Sequence, residues 1–167
     1  MAVKGGEATT PGFDALVRGI AIAGGVLLIA LATMVVVSVT LRSDLIGAAG
    51  VPGDFELVQM ATAVAAFCFL PYCQLRRGNI FVDTFTLKLP LRWQRAIDAV
   101  WDVVYALVMA LIAWRLAAGA LAALASGENT MVLRLPSYLP IAICAVLAAL
   151  VSLTSFVSAS RLARGRA

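Results

Sequence analysis

The sequence predicts an all-α integral membrane protein: four transmembrane helices, with a short interfacial helix in the loop between the second and the third. Three observations predict it. Hydrophobic residues make up 62% of the 167-residue chain and charged residues only 13%, whereas an ordinary soluble domain has about 45–50% apolar and about 25% charged residues. The apolar residues are gathered in four long runs, each close to the ~20 residues a helix needs to cross about 30 Å of hydrocarbon. The basic residues, by contrast, sit mostly outside those runs. Helices are the open-chain solution in lipid, which offers no partner to an unpaired backbone group. The length suits a single membrane domain over residues 1–167.

Residues 1–15, MAVKGGEATTPGFDA, are polar and glycine-rich and are expected to form a flexible tail. The next run, about 17–41, is too long for the apolar core of a cleaved signal and reads as an uncleaved anchor. The second span is expected at about 56–75 and the fourth at about 136–159. The third, about 97–122, carries Asp98, Asp102 and Arg115, and it crosses a membrane if those charges lie near its edges.

Orientation is set by lysine and arginine. Ten of the thirteen lie in the two tails and the central loop: Lys4, Arg18, Arg76, Arg77, Lys88, Arg92, Arg95, Arg161, Arg164 and Arg166. The remaining three are Arg42, Arg115 and Arg134. Positive charge accumulates on the cytoplasmic side, so both termini and the central loop are expected there, in a multi-pass membrane protein. The net charge of +4 is thereby explained by topology, and no nucleic acid partner is expected.

The central loop, QLRRGNIFVD, condenses several signals. Arg76 and Arg77 are placed to end the second helix among anionic headgroups, which makes phospholipid an expected partner. Gly78 breaks that helix, and Asn79 is suited to cap a new one. Phe81, Phe85 and Lys88 recur at helical spacing, the pattern of a short interfacial helix. Pro90 ends it and suits the start of the third span.

Ionisable groups within spans are functional candidates. Asp98 and Asp102 stand one turn apart near the cytoplasmic end of the third span, with Arg95 three residues before Asp98. A salt-bridged cluster with Arg76, Arg77 or Arg95 is favoured over a cation or proton site. Glu56 opens the second span on the same side as Arg115. The two are either an ion pair between helices, or Arg115 snorkels alone. On the outer side Arg42, Asp44, Asp54, Glu128 and Arg134 offer charges to a soluble partner.

Chemistry is sparse. The chain has no histidine, which removes a histidine-ligated haem and Ser-His-Asp or Cys-His catalysis. Cys68, Cys73 and Cys144 lie in apolar runs without a C-x-x-C spacing and read as small buried hydrophobes. No catalytic residue, metal ligand or resident cofactor is expected.

The order of motifs resembles a known family. A helix beginning FELVQM is succeeded by FLPYCQLRRGNIFVDTFTLKLPLRWQRAID, a long third helix, SGENTMVLRLPSYLPI and a last span. This is similar to the small, DctQ-type membrane subunit of tripartite ATP-independent periplasmic (TRAP) transporters, over roughly Phe55 to Val157. The most specific stretch is Arg77-Gly78-Asn79-Ile80-Phe81-Val82-Asp83 with Leu89-Pro90 and Arg95. Asn79 stands where the family commonly has histidine, and the preceding arginine is doubled. The resemblance implies a permease made with a much larger membrane subunit and served by a periplasmic substrate-binding protein that captures an organic acid. It implies sodium-driven symport, with the sodium and substrate sites in the large subunit and a scaffold role for this one. A membrane anchor of a redox or sensory complex is the alternative.

Overall fold

The computed structural model describes residues 11–43, 49–76 and 90–163. Within them the chain is helical, with one isolated β-bridge and no strand. Four helices account for it: α1 Pro11–Leu41, α2 Asp54–Leu75, α3 Leu91–Ser126 and α4 Tyr138–Ala163. Each is long and apolar enough to cross a membrane.

Every helix runs past the bounds expected for its span on at least one side. α1 begins at Pro11, so residues 11–15, expected in the flexible tail, are helical. Proline suits a first helical turn, where its missing N–H is not needed, and Asp14 in that turn complements the positive helix end. α3 spans 36 residues, about 54 Å at 1.5 Å per residue. It is therefore longer than the hydrocarbon layer is thick and must tilt or project beyond it. Its start comes after Pro90, in extended conformation, and its end is closed by Gly127 at φ 66°, whose N–H returns to the Ala123 carbonyl. The interfacial helix expected around Phe81, Phe85 and Lys88 lies outside the described residues.

The packing is an open row, not a closed bundle. Among the described residues α4 lies against both α2 and α3, and α1 lies against α2. Among the described residues, no Cα–Cα approach within 8 Å joins α1 to α3 or α4, or α2 to α3. The order in space is thus α1–α2–α4–α3.

Small and hydroxyl side chains put α4 in the middle. Cys144, Ala145, Ala148, Val151, Thr154, Ser155 and Ala159 are buried along it. Small residues let helix backbones approach closely where lipid supplies no hydrophobic drive for association. Ala148 and Val151 form the core with Met109 of α3, and Phe67, Leu70, Tyr105, Ala113 and Leu116 close over it from both sides. Ser152 donates to the Ala106 carbonyl of α3 at 2.8 Å. Between α1 and α2, Gly24 is the close-approach point: a Cβ there would stand 2.7 Å from the Cβ of Cys68. Cys68 and Cys144 are buried and Cys73 half-buried, and none of the three is in a disulfide.

Candidate partner-binding surface

The two ends of the row are fastened differently. At the end where α2 begins, Gly53 adopts φ 74° and turns the chain into the helix, a left-handed conformation that glycine takes without steric cost. Asp54 then serves three partners. Its Oδ1 accepts from the Phe55 amide at 2.8 Å, and its Oδ2 accepts from Ser38 Oγ at 2.6 Å and from Arg42 Nη2 at 2.9 Å. Ser38 is fully buried and also accepts from the Val51 amide at 3.2 Å. Asp54 and Arg42 form a salt bridge. Two of the five charges expected to greet a soluble partner are therefore joined to each other, stapling the end of α1 to the start of α2. Asp44 lies outside the described residues, while Glu128 and Arg134 are exposed.

Glu56, one turn short of Gln59, reaches in the other direction. Its carboxylate accepts from the amides of Val132 at 2.9 Å and Leu133 at 3.1 Å. Of the two readings the sequence left open, a Glu56–Arg115 ion pair or a lone Arg115, the ion pair is not found among the described residues. Glu56 is committed to the backbone of the α3–α4 loop rather than to Arg115, which is exposed on α3. The physical reason is reach. The loop folds over the first turn of α2 and presents two amides that no helix or strand uses, and backbone donors of that kind seek an acceptor.

The loop is itself a small hairpin. Thr130 N–H donates to the Leu135 carbonyl at 2.9 Å, Ser137 N–H to the Glu128 carbonyl at 3.1 Å, and Leu135 N–H to Thr130 Oγ1 at 3.0 Å. Asn129 and Pro136 form the bridge. Arg134 takes φ 52°, uncommon for a residue with a side chain. At the tip Met131 is 96% exposed and Val132 60%. Beneath the loop lies a cavity of about 490 Å³ lined chiefly by Met60, Ala63, Phe67, Leu116, Ile141 and Cys144, with Glu56 and Gln59 at its rim.

At the opposite end, Gln74 and Asp102 are both buried and joined, Gln74 Nε2 donating to Asp102 Oδ1 at 3.0 Å. This bond ties α2 to α3 across the flank of α4. Asp98, one turn away, is half-buried. Arg76 lies over the Tyr72 ring, 5.5 Å from its centroid, a cation–π distance. Arg77, Gly78, Asn79 and Asp83 lie outside the described residues, as do the side chains of Arg92 and Arg95. Among the described residues no group of three metal-ligating side chains comes together.

A comparison with protein families decides what this arrangement belongs to. Residues 31–165 match the model of the DctQ component of tripartite ATP-independent periplasmic transporters. The chain belongs to that family. It is thus a multi-pass transporter component, of a kind that is not an enzyme class. No curated protein and no solved structure matches this DctQ component. The match extends further toward the N-terminus than the resemblance read from Phe55 onward and takes in the last third of α1, where Ser38 lies.

Sequence reasoning missed Ser38, Gln74 and the amides of residues 132 and 133. A serine amid valines in a span, Val37-Ser38-Val39, is one signal that was present, since a hydroxyl in lipid seeks a partner. Gln74, beside the paired arginines, was masked by them.

Proposed function

We propose that this DctQ component is the small subunit of a sodium-coupled importer of organic acids in the bacterial inner membrane. It serves as scaffold for the large permease subunit, with both termini cytoplasmic. The family match carries the reading, because the family's three-part assembly supplies both a membrane partner and a soluble one. The shape supports the scaffold part. Among the described residues, α1 and α3, at the two edges of the row, each bring their backbone close to one neighbouring helix. Their exposed flanks, Ile22, Val26, Ile29 and Val36 on α1 and Leu107, Leu111 and Trp114 on α3, leave surface for a larger membrane partner and for phospholipid. The end bearing Glu56 and the hairpin is then periplasmic, which agrees with the scarcity of lysine and arginine there.

Reconstitution tests this. Vesicles holding both membrane subunits, given the soluble binding protein and an inward sodium gradient, should accumulate an organic acid. Vesicles with this chain alone should accumulate none. Uptake by this chain alone, or failure of the two membrane subunits to co-purify, would overturn the reading. Reporter fusions that place residues 77–89 outside the cell would overturn the orientation.

A further inference from the structure

We propose that the α3–α4 hairpin is a preset apolar hook, and that Met131 and Val132 at its tip bind the soluble substrate-binding protein. The inference rests on the proposed function, in which such a protein serves this complex.

Apolar side chains exposed on the flanks of α1 and α3 need no further explanation, because they face lipid or a membrane partner. The hairpin differs. Its backbone is irregular, and lipid-exposed irregular backbone does not occur within hydrocarbon. Its tip therefore stands in the headgroup or aqueous zone. There Met131, at 96% exposure, and Val132, at 60%, present apolar surface that the described residues leave uncovered. Met is enriched in the cores of protein interfaces, which are ringed by polar groups. Here the exposed Glu128 and Arg134 lie on either side of the tip in the chain.

The second observation is independent of exposure. The hook is held in shape before any partner arrives. Glu56 reaches across 76 residues of sequence to accept the tip's amides, Thr130 fastens the base of the turn, and Arg134 sits at φ 52°. Backbone strain persists where surrounding contacts over-determine it, and it gathers at functional sites. A loop already fixed in its bound form loses less entropy on association. Glu56 acts here as a positioning residue.

The place of the hook favours a soluble partner. It sits at the end of the helix row, over the first turn of α2, whereas a partner embedded in the bilayer would meet the flanks of the helices.

Photo-crosslinking in the assembled transporter tests the proposal. A photoreactive amino acid replaces Met131 or Val132 in vesicles that hold both membrane subunits and take up substrate. Irradiation should yield an adduct with the added binding protein, and the same probe at Trp114 should yield none. Glu56→Ala should weaken the adduct severalfold, and Glu56→Gln, which keeps one acceptor oxygen, should recover part of it. Met131→Asp should raise the binding-protein concentration needed for half-maximal uptake about tenfold, as loss of a central interface contact would, and leave the maximal rate in place. Adducts with the large subunit alone, no adduct in vesicles that still transport, or a defect confined to the maximal rate would each overturn the hook. Loss of co-purification with the large subunit would instead strike the proposed function beneath it.

Discussion

α1 and α4 are both strongly apolar spans, and α1 is the more hydrophobic of the two. Yet within the most apolar 18-residue stretch of each, 39% of α4 is buried and only 6% of α1. Hydropathy therefore selects the solvent and not the place in the row. α4 carries alanine, serine, threonine and cysteine on the stripe that meets α2 and α3. α1 exposes valine, leucine and isoleucine along much of its length, leaves Ala23, Ala30 and Ala32 exposed too, and touches α2 closely at Gly24 and Ser38. In lipid, branched apolar side chains gain nothing by leaving the bilayer, while small residues gain backbone contact.

The largest test of this contrast is Ala148→Leu. Ala148 is fully buried where α2, α3 and α4 converge, and overpacking such a site costs about 3 kcal/mol. Ala32→Leu on the exposed side of α1 should change stability by about 0.5 kcal/mol or less. Denaturation of the purified complex in detergent compares the two, and equal costs would break the distinction between central and edge helices.

Gly24→Val should come next. The new side chain meets Cys68, but α1 can roll away, so the cost should stay nearer about 1–2 kcal/mol. Hydrogen exchange should quicken in α1 and remain unchanged in α4. Gly25→Val, which meets nothing within 4 Å, is the matched control. Exchange that quickens throughout would show that α1 belongs to the central unit after all.

Ser38→Ala is the finest test. It removes the hydroxyl shared by Asp54 and the Val51 amide, a loss of about 1 kcal/mol. The effect should appear as faster exchange near Val51, with the core around Met109 unmoved.

Much of the fold was legible because membrane solvation writes itself into composition. Four runs near the required length, few charges within them and Gly and Pro at their borders give the four helices directly. The bounds were less legible: α3 runs from Leu91 to Ser126 because neither Trp93 nor Ala125 carries a signal that would end a helix. The polar contacts were legible only in part. Glu56, Asp54 and Asp102 could be singled out as costly groups, but most of their partners could not, since beside Arg42 and the adjacent Phe55 amide they include a serine, a glutamine and two backbone amides distant in the chain. Side-chain type announces the need for a hydrogen bond without naming who meets it.

The sequence by itself determined the phase in which this protein lives, the four segments long and apolar enough to cross it, the family to which it belongs and the absence of histidine chemistry. Only the tertiary structure decided that the helices stand in an open row with α4 inside and α1 at the edge, and that Glu56 holds a loop instead of an arginine. The reason is physical. Transfer into lipid depends on each segment's own composition, whereas neighbour choice depends on how closely two backbones come together and which unpaired amides that approach brings within reach of an acceptor.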